Sequence, residues 1–116
     1  MIRRLAFMLL CTALALPAAA AEKTVTFGVV TATSGPLAAA GRFQVNGFQL
    51  AADAINAGGG IRVRGDTYRI ALKVYDTRCN AAEGASAMQR LATIDEVPVV
   101  MGEVCSPVAA AEAPVA

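Results

Sequence analysis

Among the side chains able to do chemistry, two cysteines and two serines stand out: Cys79, Cys105, Ser34 and Ser106, all placed in segments rich in small or turn-forming residues. The chain contains no histidine, so neither serine can be activated by a Ser-His-Asp relay built within it. A zinc site on the cysteines lacks further ligands, and a redox pair would normally carry the C-x-x-C spacing. The adjacent carboxylates Asp95 and Glu96 close a helix-like stretch and read as solvated rather than as a poised acid and base. After the first apolar strand, Ala32-Thr33-Ser34-Gly35 does not supply the glycine fingerprint of a dinucleotide site. The triplet Gly58-Gly59-Gly60 follows a helix rather than a strand, which rules out a phosphate loop. These residues argue for a binding module with no cofactor, not for an enzyme.

The elements that must position them follow from periodicity. Val25, Phe27 and Val29 alternate with smaller or polar residues, predicting a strand over 25–31. Ser34-Gly35-Pro36 breaks it, and a helix is predicted from 38 or 39 to 56. Its buried stripe is Phe48, Ala51, Ala52 and Ile55, with Gly58 as a left-handed terminator. Residues 62–67 read as an exposed hairpin or loop whose charges are solvated. A second strand is predicted over 68–76, with Ile70, Leu72 and Val74 on one face. Asn80-Ala81-Ala82-Glu83 reads as a capping box opening a helix to about residue 94, with Ala85, Met88 and Ala92 inward. A third strand is expected at 97–101. After the loop 102–107, Ser106 is placed to cap a third helix with Pro107 at its first position.

This alternation predicts an α/β fold, a parallel open sheet with flanking helices and right-handed crossovers. The loops at the carboxyl ends of its strands, 31–40, 76–80 and 102–107, are expected to line the ligand crevice.

The amino terminus sets the compartment. Met1-Ile2-Arg3-Arg4 is basic, residues 5–16 are mostly apolar, and Pro17 with Ala18 to Ala21 completes a secretory signal over 1–21. The apolar run falls short of the roughly 20 residues that span a bilayer, and no later segment reaches that length, so no membrane-spanning segment is expected. The remaining residues, 22–116, hold eight Lys and Arg against nine Asp and Glu, a balance with no nucleic-acid signature. In an exported chain, two cysteines on neighbouring strand ends favour a bridge from Cys79 to Cys105 over zinc or redox use. The loop-entropy account gives such a bridge about 3 to 4 kcal/mol.

F-G-V-V-T-A-T-S-G-P-L-A-A-A-G, A-I-N-A-G-G-G-I, V-Y-D-T-R-C-N and V-V-M-G-E-V-C-S-P, in this order after a signal, resemble the amino-terminal lobe of the Leu/Ile/Val-binding family of periplasmic substrate-binding proteins. The resemblance implies a partial first lobe of the type I periplasmic binding fold over 22–116. It implies a receptor that takes a small ligand, an amino acid of branched-chain type, between two lobes and delivers it to an ABC permease in the membrane. It also implies the Cys79–Cys105 disulfide, and Ser106 as a contact to the ligand's head group, with Cys105, Ser34 and Ala40 beside it. A hydroxyl and free backbone donors at a helix start suit a carboxylate. Two residues depart from the pattern. Ala40 stands where aliphatic binders tend to place an aromatic ring, so a larger or differently shaped pocket is expected. Glu103 stands where histidine often precedes the C-S pair, and its expected place is in solvent rather than against a cationic ligand group. The chain ends at Ala116, inside the third helix, at about a third of the family's usual length. The alternatives are a sensory receptor ectodomain and a non-functional truncated fragment.

Overall fold

The computed structural model describes residues 22–116, and the signal predicted over 1–21 lies outside the described residues. Four strands and three helices follow in the order β1 (Lys23–Thr31), α1 (Ala38–Ala57), β2 (Ile61–Val63), β3 (Asp66–Asp76), α2 (Ala81–Thr93), β4 (Val100–Gly102) and α3 (Ser106–Glu112). The sheet order is β2-β3-β1-β4. β1 pairs in parallel with β3, from Lys23 opposite Tyr68 to Thr31 opposite Asp76, and with β4 through Gly28, Val29 and Val30. The parallel core matches expectation, and β2 adds an antiparallel edge to it through a hairpin with β3. Arg64 and Gly65 at the hairpin tip both have positive φ, 50° and 93°, the mirror-image turn that suits strand twist.

β1 and β3 begin two residues earlier than the alternating pattern suggests. Cross-strand partners extend them: Lys23 Nζ donates to Asp66 at 2.6 Å, and Arg69 forks onto Glu22 with two bonds of 2.9 Å. Asp66 is therefore ion-paired, not merely solvated. β4 begins later than predicted, because Val97, Pro98 and Val99 form its approach and only the Val99 carbonyl reaches Gly28, at 2.9 Å.

Three local expectations are corrected. Helix α1 does end at the glycine triplet, but Gly58 has φ −74° and the left-handed turn falls on Gly59 and Gly60, at +99° and +81°. The amides of Gly59 and Gly60 donate back to Asn56 and Ile55, closing the last carbonyls in a Schellman motif one residue later than expected. At the start of α2, the Asn80 side chain accepts from the amides of Ala82 and Glu83 at 2.9 and 3.1 Å, as a cap should. The reciprocal half of the box is absent, because the Glu83 carboxylate turns to the Arg78 guanidinium. The inner stripe of α2 is Gly84, Ala87, Met88 and Leu91, while Ala85 is half-buried and Ala92 exposed.

That rotation has a steric cause. A Cβ on Gly84 would meet Val108 Cγ1 at 2.2 Å and Glu112 Oε1 at 2.7 Å, so α3 rests directly on the α2 backbone. Below it, Leu91, Val30 and Ala87 make one core cluster, and Ala32, Cys105 and Val108 another. Leu91 is wholly sealed from water, a burial worth about 2 kcal/mol. On the other face α1 covers the sheet less completely. Of its predicted stripe Ala52 is buried, Phe48 half-buried, and Ala51 and Ile55 exposed.

Candidate functional site

The three loops that follow β1, β3 and β4 meet at one edge of the sheet, because parallel pairing brings those strand ends level. Two carboxylates tie them. Asp76, the last residue of β3, accepts at Oδ1 from the amides of Thr33 (2.9 Å), Arg78 (3.0 Å) and Ser34 (3.2 Å), and at Oδ2 from the Ser34 hydroxyl (2.5 Å). Partial burial alone pushes this carboxyl up. The Ser34 hydroxyl and the amides of Arg78, Thr33 and Ser34 outweigh burial and hold it down at about 2. Asp76 is thus an anion at any pH above the mid-acid range, and each donor to it is a charge-assisted bond. Arg42 Nε on α1 donates to the Thr33 carbonyl at 2.9 Å and fixes the far side of the same loop. Gly41 makes this approach possible, since a Cβ there would stand 1.9 Å from the Ala32 carbonyl oxygen.

Glu103 performs the matching task between the second and third loops. Its Oε2 accepts from the buried Thr77 hydroxyl at 2.7 Å, and its Oε1 accepts from the amides of Val104 and Cys105 at 2.7 and 3.0 Å. This overturns the solvent-facing expectation: three inward donors satisfy the carboxylate better than a mobile exposed rotamer would. The disulfide joins the same two loops, Cys79 to Cys105, with Cα atoms 5.6 Å apart.

Ser34 is committed to Asp76 as a donor, which leaves its oxygen as an acceptor only. Cys105 is buried, bridged, and serves as the N-cap residue of α3, so Ser106 is the first helical residue rather than the cap. No side-chain cap bond forms there, and Pro107 occupies the first turn without a lost donor. Among the described residues the Ser106 hydroxyl and amide have no partner within the protein, and the residue is exposed. Ala40 lies exposed in the first turn of α1. The structure therefore brings Ser34, Cys105 and Ser106 to one strand-end edge, with Ala40 on the helix that rises from it.

Sequence reasoning missed Asp76 as the organiser of the site. Its local part was legible, since an Asp accepting from the amide two residues on is an Asx-turn. Its bonds to Thr33 and Ser34 span more than forty residues and carry no sequence signal. Asp95 was likewise misjudged: Lys73 Nζ donates to it at 2.5 Å and the Tyr75 hydroxyl at 2.9 Å, across the α2–β4 connection. Among the described residues no group of three or more His, Cys, Asp or Glu is placed to hold a metal ion, and no helix is long and apolar enough to cross a membrane.

Comparison with known proteins gives one answer. The family described as periplasmic binding protein matches residues 24–116. A Leu/Ile/Val-binding protein of Citrobacter freundii is 33% identical over 96 residues, covering 83% of this chain and 25% of that protein. Among solved structures, the branched-chain amino acid transporter substrate-binding protein LivJ of Streptococcus pneumoniae, in complex with isoleucine, superposes with a TM-score of 0.72 at 38% identity. That match covers 80% of this chain and 26% of the other. A possible leucine/isoleucine/valine-binding protein of Rhodopirellula baltica gives 0.71 at 32% identity, covering 87% and 26%. The chain spans about a quarter of the length of these relatives. A match over nearly all the described residues, on a sheet with the expected parallel core, leads to one conclusion: the chain belongs to the periplasmic binding protein family.

Proposed function

We propose that this chain is part of an exported receptor that binds a small ligand, an amino acid of branched-chain type, and passes it to an ABC permease. Relatives at 33 and 38% identity whose names specify branched-chain amino acids support the ligand class, and the basic, apolar, small-residue leader supports export to the periplasm. The single observation that carries the reading is the unpartnered start of α3. The exposed Ser106 hydroxyl and amide stand free at the strand-end edge, while the amides just before them are occupied by Glu103. A ligand carboxylate takes the Ser106 donors, and the tied loops hold them in place before it arrives. Preorganisation of this kind reduces the ordering cost of binding. Ser34 and Cys105 shape the floor of the site, and Ala40 leaves room above it.

The test is a thermal-shift titration of the gene product that carries this chain, with leucine, isoleucine and valine, beside its Ser106→Ala variant. Ligand raises the midpoint of the parent protein by mass action. Ser106→Ala weakens binding about tenfold, as loss of one bond to a charged group predicts, and leaves the ligand-free midpoint unchanged. If no amino acid moves the midpoint, the reading is wrong.

A further inference from the structure

Two acidic side chains bracket α3, and their surroundings differ. Glu103, before the helix, takes the Thr77 hydroxyl and the amides of Val104 and Cys105, the residues that lead into Ser106. Glu112, the last residue of the helix, is 5% exposed, and its Oε1 is sealed from water with no hydrogen-bond partner. A Cβ on Gly84 would stand 2.7 Å from this oxygen and 2.2 Å from Val108 Cγ1. The Glu112 carboxyl therefore lies beside Val108, one turn back toward Ser106, the direction helical side chains take. Among the described residues no cation answers it. Of the charged side chains on α2 and on the loops against α3, Glu83 and Arg78 pair with each other, Arg90 lies over the Tyr75 ring at 5.1 Å, and Glu103 adds like charge. The carbonyl end of a helix also disfavours a negative group.

We infer, on the strength of the Ser106 contact proposed above, that Glu112 is the proton-linked control of the ligand site: a ligand carboxylate taken at Ser106 draws a proton onto Glu112, and affinity falls as the medium turns alkaline. Ser106 and Glu112 are the two ends of one seven-residue helix, about 9 Å of rise apart. Burial and the charge of Glu103 push the Glu112 carboxyl up to about 7, so near neutrality it is partly protonated and able to respond. A further negative charge at Ser106 makes Glu112 hold its proton more tightly, so in that range the complex carries more protons than the free receptor. Affinity is therefore flat in mild acid, falls as pH rises through and above about 7, and levels off once the bound form has ionised as well. Two unit charges about 9 Å apart at an effective dielectric constant of about 20 give roughly twentyfold at most. Solvent screening and the opposite charge of an amino acid's ammonium group reduce this to about threefold.

Calorimetric titration of the gene product that carries this chain with isoleucine, from pH 6 to 8.5, tests this. The dissociation constant rises about threefold over that range. Near pH 7.5, paired titrations in phosphate and in Tris, whose ionisation enthalpies differ, show a fraction of a proton taken up per ligand bound. Glu112→Gln keeps the shape and the low-pH affinity, and it abolishes both the uptake and the pH dependence. The buffer comparison is made on the parent protein, so it holds even where that substitution disturbs α3. Absence of binding at every pH sinks the Ser106 reading and the proton linkage with it. Binding without proton uptake, proton release on binding, or an uptake that survives in Glu112→Gln sinks the linkage alone.

Discussion

The two faces of the sheet are closed by different means. On the α2–α3 face Leu91, Val30 and Val108 are at most 1% exposed, and the helices touch backbone to side chain across Gly84. On the α1 face Ala52 and Ile70 are buried, but Phe48 and Leu72 are only half so, and a depression of about 160 Å³ remains between α1 and the strands. The lesson is that burial and constraint go together. Where packing reaches crystal-like density one added carbon is felt, and where it does not, local helix propensity decides the sign. Of the two carboxylates that tie the site's loops, Glu103 draws on the first regime, since it holds the Val104 and Cys105 amides and Cys105 packs with Val108 of α3, whereas Asp76 is exposed and bonds the loop that leads into α1.

The sharpest way to break the comparison is the same substitution on each face, and the larger effect belongs to the dense one. Gly84→Ala puts a methyl group 2.2 Å from Val108 Cγ1 and 2.7 Å from Glu112 Oε1, so α3 must move or both side chains must leave their rotamers. Overpacking of this kind costs about 2 to 3 kcal/mol, more than the roughly 1 kcal/mol that alanine gains over glycine inside a helix. Urea unfolding should therefore show a lower midpoint at an unchanged slope. A midpoint equal to or above the parent's would mean that the α2–α3 contact is slack.

The dense face also hides a titrating group. Glu112 is 5% exposed, and its Oε1 has no hydrogen-bond partner. Burial, reinforced by the charge of Glu103, pushes its carboxyl up from 4.5 to about 7. The unfolded chain releases this proton near 4.5, while the folded chain keeps it to about 7. Stability accordingly falls as pH rises through that window and levels off above it. Glu112→Gln keeps the shape, removes that slope, and raises stability at pH 8 by on the order of 2 kcal/mol. Asp76, held down at about 2, acts in the opposite sense at the acid end: its contribution is present above the usual aspartate range and is lost as pH falls toward 2. Denaturant titrations from pH 4.5 to 8 separate the two, and a flat parent profile there would refute the buried-carboxyl account.

Periodicity made the α/β order, the three parallel strands and the strand-end edge legible, because alternating Val and Phe in β1 and the glycine stop of α1 are local patterns. The bridge from Cys79 to Cys105 was legible from strand-end placement and the resemblance together. What escaped was set by contacts between distant segments. Asp76 meets Thr33 and Ser34, Glu103 meets Thr77, and Asp95 meets Lys73, and each carboxylate looks like surface charge until the fold supplies its donor. The stripe of α2 was misplaced for a similar reason, since Gly84 reads as a weak helix former until α3 is seen to need its missing side chain.

The smallest effect comes from the open face, and its sign is reversed. Gly47 is exposed in the interior of α1, and a Cβ there would have no neighbour within 4 Å. Gly47→Ala thus meets no steric resistance, and it restricts the unfolded chain more than the folded one. The expected gain is about 1 kcal/mol, read as a higher urea midpoint. Paired with Gly84→Ala, the identical chemical change should move stability in opposite directions on helices of one small lobe. If both glycines respond alike, helix propensity rather than packing governs the two faces, and the contrast between them is only one of solvent exposure.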